Sequence, residues 1–277
     1  MLKFMKISFN SVTFYQDKYE VFFKKISEFN YDAIELNAET LPWATPHIDD
    51  KTSNDELENI IDLSSKYNLA ISSIGAHIDI SQKNDEDRKS NISYIKKCID
   101  HSQKIKCPIV HIFSGELKKN ENKEEKLEIF YDSVKEISNY GFEKKIKIAL
   151  EPIVGHVFHT YHDFEKIWQK LGDDNIWVNY DPSHYEAQKL DIKDSLHILG
   201  KKIINVHMKD AMGKFPYFQF PPLGKGNIDF KFIIKELEKL NYKGVLSIEY
   251  EAQVFGWEFS EEEILKNNYQ FVNNLLN

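Results

Sequence analysis

The sequence is poor in arginine and cysteine: Arg88 is the only arginine among 36 basic residues, and there are two cysteines. The scarcity of arginine removes most of the planar guanidinium groups that hold a phosphate through two parallel hydrogen bonds. A net charge of −8 further disfavours nucleic acid as a partner. Cys98 and Cys107 have neither the number nor the spacing of a disulfide framework or a zinc site. We therefore expect a reducing, cytoplasmic location with both cysteines buried.

Long apolar runs are absent as well. No stretch reaches the roughly 18 apolar residues of a membrane span, and residues 1–10 have no uninterrupted apolar segment of an export signal. We expect neither a membrane span nor a secretory leader. With 42% hydrophobic and 29% charged residues, 11 glycines and 8 prolines, the composition is typical of a globular protein and excludes disordered and collagen-like chains. A length of 277 residues suits one large domain, which we place at residues 1–277.

Short apolar runs alternate with longer amphipathic segments. Two of these segments begin with the Ser-x-x-Glu spacing of a helix capping box, at Ser53 with Glu56 and at Ser260 with Glu263. The alternation, with no linker to mark a boundary, predicts an α/β fold with a single (β/α)8 TIM barrel, and a doubly wound sheet is the alternative. The predicted strands are 5–10, 32–37, 71–78, 107–113, 146–151, 176–181, 203–209 and 245–250.

The residue alternation inside the strands supports the barrel. In the seventh strand Val206 and Met208 alternate with His207 and Lys209, so one face is apolar and the other ionisable. The other strands after the first repeat this pattern, with the ionisable groups near their C-terminal ends, where barrel enzymes assemble their active sites. In the second, third and fourth strands these groups are Glu35, His77 and His111.

The last four strands contribute Glu151, Asp181, His207 and Glu249, which we expect to converge in the mouth of the barrel. Three carboxylates in one pocket repel each other, and burial raises their pKa values, unless a cation balances them. Three oxygen donors and one imidazole suit one divalent ion, Mn²⁺ foremost, with Mg²⁺, Co²⁺ or Zn²⁺ as alternatives. The competing interpretation is four strand-end polar residues in separate hydrogen-bond networks.

Further polar residues lie near the same pocket. His184, three residues after Asp181, could reach it from the following loop or serve a structural role there. Lys209 suits either an ion pair with Glu35 or Glu251 or a role in catalysis, and the other two histidines suit substrate contact or hydrogen bonds in the core. The predicted substrate-binding residues are His184, His77, His111, Lys209 and Glu35.

The segment 215–222 is dense in aromatic residues and proline. Clusters of exposed aromatic side chains mark contacts more often than single ones do. We expect this segment to lie over the barrel mouth or against a neighbouring subunit of a homo-oligomer, and the alternative is a loop folded onto its own barrel.

Four segments together resemble a known family. They are Ala149-Leu-Glu151-Pro, Asn179-Tyr-Asp181-Pro-Ser-His184, Asn205-Val-His207-Met-Lys-Asp210, and Gly224-Lys-Gly-Asn-Ile-Asp-Phe230 leading to Gly244-Val-Leu-Ser-Ile-Glu249-Tyr. Their order and spacing are similar to those of the xylose isomerase-like TIM barrels, which include sugar and sugar phosphate isomerases and epimerases, inosose-processing enzymes and endonuclease IV-type AP endonucleases. The resemblance implies that the four converging residues bind a metal, with Glu151 and Glu249 as catalytic acid and base.

The resemblance also implies a reaction class. We expect an isomerase or epimerase of a small carbohydrate that transfers a proton through a metal-stabilised enediolate. The alternative is a metal-dependent dehydratase of the inosose or dehydroshikimate type on the same scaffold. Ile153-Val-Gly-His156 and Lys209-Asp210 depart from the ketose 3-epimerases, which carry Arg and Glu at the first place and Arg at the second. An AP endonuclease is less favoured, because residues 214–222 lack the Asp-x-His of a three-metal cluster.

Overall fold

The structure is a computed structural model that describes residues 5–277. Eight parallel strands form a closed barrel, which confirms the predicted (β/α)8 architecture. Seven of the predicted strand ranges contain one of them, and the third overlaps a strand that begins at Ala70, one residue before the predicted start. They are β1 (Lys6–Asn10), β2 (Ala33–Asn37), β3 (Ala70–Gly75), β4 (Ile109–Ile112), β5 (Lys147–Leu150), β6 (Ile176–Tyr180), β7 (Ile203–Met208) and β10 (Val245–Ile248). Around the barrel the order is β1-β10-β7-β6-β5-β4-β3-β2.

Helices cover the outside of the barrel. They are α1 (Tyr19–Ser27), α2 (Asn54–Tyr67), α3 (Asp85–Lys104), α4 (Lys123–Lys144), α5 (Tyr161–Leu171), α6 (Pro182–Gln188), α7 (Ile192–Leu199), α8 (Phe230–Lys239) and α9 (Glu261–Leu275). Both predicted capping boxes are present, at the starts of α2 and α9. Each satisfies backbone N–H groups that a helix start would otherwise leave without partners.

The outward faces of the strands form the core between barrel and helices. Ile148 and Leu150 of β5 and Val206 and Met208 of β7 belong to one buried apolar cluster with residues of the surrounding helices. Full burial of an aliphatic side chain of this size stabilises the fold by roughly 1.5–3 kcal/mol. The core therefore holds the strand ends in place around the lumen.

The opposite strand faces line a polar lumen. Asn205 Nδ2 of β7 donates to Glu35 Oε2 of β2 over 3.0 Å, although these strands are not neighbours in the barrel. Such a contact is made only across the lumen. Gly75 at the end of β3 provides space for an imidazole, because a Cβ atom there would lie 2.8 Å from His111 Cε1.

Three barrel strands end immediately before a carboxylate. β5, β6 and β10 stop at residues 150, 180 and 248, so Glu151, Asp181 and Glu249 stand at the C-terminal rim of the barrel. The third strand is shorter than the predicted 71–78, and His77 lies in the loop that follows it. In that loop Ala76 N still donates to His111 O of β4.

A short antiparallel hairpin interrupts the alternation after β7. Its strands are β8 (Met212–Lys214) and β9 (Tyr217–Gln219), and the sequence patterns did not predict it. Along residues 5–277, no helix has the length and apolar character needed to cross a membrane. The cytoplasmic location and the domain limits 1–277 stay predictions.

Candidate metal centre

Four side chains predicted to converge do lie together at the barrel rim. Glu151, Asp181, His207 and Glu249 each offer one donor atom, and these atoms all lie within 4.8 Å of one another. His207 Nδ1 is 3.2 Å from Glu249 Oε2, 3.5 Å from Glu151 Oε1 and 3.8 Å from Asp181 Oδ2. The side chain of Glu249 is 12% exposed and the other three are buried. We name these four residues the rim cluster.

Local structure aims the carboxylates of the rim cluster. Asp181 is the N-cap of α6, and its Oδ1 accepts a hydrogen bond from Ser183 N over 2.8 Å. Its Oδ2 therefore faces the cluster. Asn179 Nδ2 donates to Glu151 Oε2 over 2.7 Å, which leaves Glu151 Oε1 towards the same point. A capping position followed by Pro182 at the first helical turn is typical of a helix start.

The ring of His207 is oriented by Glu35, which is buried in the lumen. Its Nε2–H donates to Glu35 Oε1 over 3.0 Å, so the Nδ1 atom is turned towards the three carboxylates. His207 Nδ1 is buried and has no hydrogen-bond partner, and Asp181 Oδ2 has the ammonium of Lys209 at 3.0 Å. Buried polar atoms without partners are rare in proteins. An unpartnered ring nitrogen among three carboxylate oxygens fits a divalent ion.

The carboxylates of the rim cluster stay charged. Burial alone would raise the pKa of Glu151, but the charge of His207 and hydrogen bonds from nearby histidines outweigh it and hold the pKa well below the usual range. For Asp181 and Glu249, burial likewise opposes the nearby Lys209, whose charge prevails and lowers the pKa of both. Because all three are ionised near neutral pH, the cluster attracts cations.

Lys209 brings a positive charge to the same place. Its Nζ lies 2.5 Å from Glu249 Oε2, 3.0 Å from Asp181 Oδ2 and 3.4 Å from Glu251 Oε2. Burial would lower the pKa of Lys209, but Asp181 and Glu249 raise it well above the usual value. Of the two partners that the sequence suggested for this lysine, Glu251 is the one in contact. Burial raises the pKa of Glu251 to about 7.

His77, in the loop after β3, and His111, on β4, are two of the predicted substrate-binding residues, and they contact each other. His77 Nε2 lies 2.9 Å from His111 Nδ1 and 3.3 Å from Glu151 Oε2. The other ring nitrogen of His77, Nδ1, lies 3.1 Å from Glu39 Oε2. Burial would lower the pKa of His77, but Glu151 and Glu39 outweigh it and raise the pKa to about 10. These histidines support Glu151 on the side away from the rim cluster.

His184 reaches the rim cluster from the first turn of α6. Its Nε2 is 3.5 Å from Asp181 Oδ2 and 3.7 Å from Glu151 Oε1. Burial lowers the pKa of His184 to about 4, so its imidazole is neutral at physiological pH. Its Nδ1 is buried without a hydrogen-bond partner. This position is compatible with the predicted substrate contact, which stays a prediction.

Glu35 lies deeper in the lumen than the rim cluster. Its carboxylate accepts from Asn10 Nδ2 at 2.6 Å and His207 Nε2 at 3.0 Å through Oε1. Oε2 accepts from Ser73 Oγ at 2.6 Å and Asn205 Nδ2 at 3.0 Å. Four protein donors thus satisfy a fully buried side chain. Its predicted substrate role stays a prediction, and the geometry shows it holding His207.

The aromatic segment after β7 packs over one side of the site. Phe220 is buried, with its ring centre 4.7 Å from Lys209 Nζ and 5.4 Å from the ring of His184. Tyr217 at the hairpin turn is 87% exposed. The turn Gly224-Lys-Gly226 follows this segment. The backbone N–H groups of Gly224 and Gly226 donate to Asp210 Oδ2, so they are not turned towards a phosphate ligand.

Sequence reasoning missed two residues of the site. Asn179, to which the sequence patterns assign no role, positions Glu151. Its alternation with Asp181 on one strand was the signal that could have found it. Glu39 lies in the loop after β2 and contacts His77. No spacing or motif in the sequence distinguishes Glu39 from other loop carboxylates.

Comparison with known proteins identifies the family. Residues 23–275 match the family described as xylose isomerase-like TIM barrel. The chain belongs to this family. A crystal structure of a D-tagatose 3-epimerase-like protein has a TM-score of 0.79, with 22% identity over 99% of this chain and 100% of that chain. The crystal structure of the IOLI protein with a bound zinc atom has a TM-score of 0.81, with 19% identity over 98% of each chain.

One similarity is to a protein with a named activity. An inosose dehydratase of Clostridium perfringens is 24% identical over 155 residues, which span 50% of this chain and 51% of the dehydratase. The match therefore covers about half of each protein. The structures similar to this chain thus include an epimerase-like protein, and its curated relatives include a dehydratase. At these identities the structural similarity shows a shared fold.

Proposed function

We propose that this protein is a divalent-metal-dependent isomerase or epimerase of a small carbohydrate. The observation that carries the proposal is the placement of Glu151 and Glu249. They extend from β5 and β10, on either side of the strands that supply Asp181 and His207. Two ionised glutamates on opposite sides of one donor set can serve as a pair of proton-transfer groups. The similarity to an epimerase-like structure supports this assignment.

Glu151, Asp181, His207 and Glu249 would hold the ion. A divalent ion bound there supplies Lewis-acid polarisation of a carbonyl and its neighbouring hydroxyl. Mn²⁺ is the expected ion, with Mg²⁺, Co²⁺ and Zn²⁺ as alternatives, and the related IOLI structure contains zinc. Glu35 keeps the Nδ1 atom of His207 turned towards this position, which is the usual contribution of a carboxylate behind a metal-binding histidine.

The chain's own residues move the proton. Glu151 accepts the proton from the carbon next to the carbonyl, and the electron pair of that C–H bond shifts towards the carbonyl oxygen. Glu249, ionised at rest, takes up a proton from solvent and delivers it to the opposite face of the same carbon, which yields an epimer, while Glu151 returns its proton to solvent. If Glu151 instead returns its proton to the neighbouring carbon, and the proton of that carbon's hydroxyl passes to the former carbonyl oxygen, the product is the isomer. Asn179 and His77 keep Glu151 in place through contacts of 2.7 and 3.3 Å to its Oε2.

A dehydratase is the second candidate. The similarity to inosose dehydratase favours it, as does the position of two further groups beside the rim cluster, His184 and Lys209. In that reaction the same proton is removed by a glutamate, and the hydroxyl on the next carbon takes up a proton from the protonated glutamate and leaves as water while a carbon–carbon double bond forms. Lys209 and His184 could donate hydrogen bonds to the departing oxygen, so both reactions begin at Glu151 or Glu249 and differ in the product.

The proposal is tested by solvent exchange on a panel of sugars, inososes and dehydroshikimate in D₂O with added Mn²⁺ or Co²⁺. We expect deuterium in the carbon next to the carbonyl, and a product of unchanged composition apart from that label. Loss of water instead identifies the dehydratase. Metal-loaded Glu151→Gln and Glu249→Gln should each lose about 10²–10⁴-fold in turnover, since an amide does not transfer the proton. Glu136→Gln, a solvent-facing glutamate paired with Lys96, is the control.

Metal occupancy must be measured for both variants, because loss of the ion would imitate loss of the base. Turnover at the wild-type rate by either fully loaded glutamine variant contradicts the glutamate assignment. Conversion of substrate without any solvent deuterium contradicts proton transfer through solvent-exchangeable carboxylates.

A further inference from the structure

Lys209 lies closer to two carboxylates of the rim cluster than His207 does. Its ammonium is 2.5 Å from Glu249 and 3.0 Å from Asp181, whereas the nearest approach of His207 Nδ1 to a carboxylate oxygen is 3.2 Å. Glu249 Oε2 is the oxygen in both of these contacts. The lysine therefore occupies the electrostatic position that two of the four metal donors offer to a cation.

An ion and the ammonium compete for the same oxygen atoms. Asp181 Oδ2 and Glu249 Oε2 face both His207 Nδ1 and Lys209 Nζ. Like charges that share buried oxygen ligands repel strongly, because the surroundings have a low dielectric constant. A buried ammonium that loses its carboxylate partners is itself unfavourable. Lys209 must therefore find another partner when the site takes up an ion.

Glu251 provides that partner. Its Oε2 is 3.4 Å from Lys209 Nζ, and its side chain is 19% exposed, compared with 12% for Glu249. Glu251 is thus slightly more exposed than Glu249. A lysine side chain has four flexible methylene groups, so a small movement takes the ammonium from Glu249 to Glu251. The ring of Phe220, 4.7 Å from Nζ, provides a further attractive contact for the cation.

We propose that Lys209 is exchanged for the metal ion: its ammonium neutralises Asp181 and Glu249 in the metal-free protein and moves to Glu251 when the ion binds. The inference rests on the proposed metal site. Lys209 then weakens metal binding while it stabilises the metal-free fold, and Glu251 favours metal binding through the lysine. Lys209 acts here as a positioning residue and needs no contact with substrate.

Calorimetric titration of chelator-treated protein with Co²⁺ and with Mn²⁺ tests the exchange. Lys209→Met should tighten binding about ten- to a hundredfold, because the competing charge is gone. The chelated Lys209→Met protein should also melt at a lower temperature than chelated wild type, and its rise in Tm on adding metal should be larger. Lys209→Arg keeps the charge and should stay within about threefold of the wild-type Kd. Lys126→Met is the matched control, since Lys126 is also buried and pairs with Glu121, outside the cluster.

A double-mutant cycle tests the role of Glu251. Glu251→Gln should weaken metal binding about fivefold in the wild-type background and less than about twofold in the Lys209→Met background, because its effect passes through the lysine. Equal effects in both backgrounds overturn the movement to Glu251. Wild type that binds metal while Lys209→Met binds it no tighter overturns the exchange alone. Absence of binding by both proteins overturns the metal site itself, and binding only by Lys209→Met supports the exchange.

Discussion

Glu35 and Asp181 are almost equally buried carboxylates on two sides of His207, and they differ in what their oxygen atoms meet. Both are at most 1% exposed. Glu35 accepts hydrogen bonds from four side chains. Asp181 accepts one from a backbone N–H through Oδ1, and its Oδ2 faces the ammonium of Lys209 at 3.0 Å. The charge of Glu35 is thus balanced by four fixed donors, whereas that of Asp181 Oδ2 is balanced by one flexible lysine side chain.

The position along the strand explains the difference. Glu35 lies inside β2, where Asn10, Ser73 and Asn205 from other strands surround it with donors. Asp181 follows the last residue of β6, so fewer strand residues lie above it to donate. Burial of a carboxylate is tolerated in either case only when its charge is balanced. The polar lumen therefore holds its central carboxylate with fixed hydrogen bonds and leaves its rim carboxylates with fewer donors.

The largest effect is expected at His207, which contacts Glu35 and also belongs to the rim cluster. His207→Ala removes the donor to Glu35 and the nitrogen donor of the rim cluster together. We expect loss of the bound metal, seen by elemental analysis, and a lower Tm of the chelated protein. His197→Ala, an exposed histidine on α7, is the control and should retain metal and Tm. Full metal occupancy in His207→Ala would contradict the assignment of His207 Nδ1 as a donor to the metal.

Asp181→Asn should separate binding from stability. Asparagine also caps helices, so α6 keeps its first hydrogen bond while the cluster loses one negative ligand. We expect metal affinity to fall by at least about a hundredfold, and the Tm of chelated protein to fall only modestly, because Lys209 loses one of its carboxylate partners and keeps Glu249. Asp163→Asn, at the buried capping residue of α5, should leave the metal Kd unchanged. A large loss of chelated stability in Asp181→Asn would mean that this carboxylate is structural.

Glu35→Gln should show the opposite balance. The amide retains the shape but places an N–H group where donors now point, which costs roughly 1–3 kcal/mol of unfolding free energy. Because Glu35 orients His207, metal affinity should also fall about tenfold. Denaturant unfolding of chelated protein and metal titration measure the two effects. Unchanged stability would contradict the structural role of Glu35.

The smallest effect is expected at a histidine outside the lumen. The Nε2–H of His47 donates to Phe14 O over 3.1 Å, its ring packs on Phe22, and burial lowers its pKa to about 4. The unfolded chain therefore binds this proton more readily, and stability is lost as pH falls below about 6.5. We expect at most about 1 kcal/mol between pH 6.5 and 5.5, measured as the difference from His47→Gln. A parallel pH profile of the two proteins would contradict the buried neutral state.

Much of the fold could be predicted because its signals are local. Alternation of apolar and polar residues depends only on the two-residue period of a strand, and all eight predicted ranges overlap a barrel strand. The capping residues at Ser53 and Ser260 act over three positions of the chain. The hairpin of β8 and β9 was missed because its strands have three residues each, too few to show a period.

The candidate site could be predicted only in part. The alternation of residues in the strands predicted that four side chains converge, because parallel strands in a barrel end at the same rim. These are Glu151, Asp181, His207 and Glu249. Distances between side chains on opposite sides of the lumen could not be predicted, since they depend on strand order and register. Register shifts between Ile34 and Glu35, and between Val178 and Asn179, move residues of both carboxylate sites relative to their neighbours.

By itself the sequence determined which side chains face the lumen and that an acidic set with one histidine gathers at its rim. Only the tertiary structure decided which atoms meet there and that His207 Nδ1 is left without a hydrogen-bond partner. The Nδ1 atom of His207 faces the rim because Glu35, 172 residues away in the chain, holds Nε2. Lys209 contacts Asp181 and Glu249 because barrel closure brings β6, β7 and β10 side by side. Hydrogen bonds and ion pairs form over about 3 Å, a scale that chain spacing does not specify.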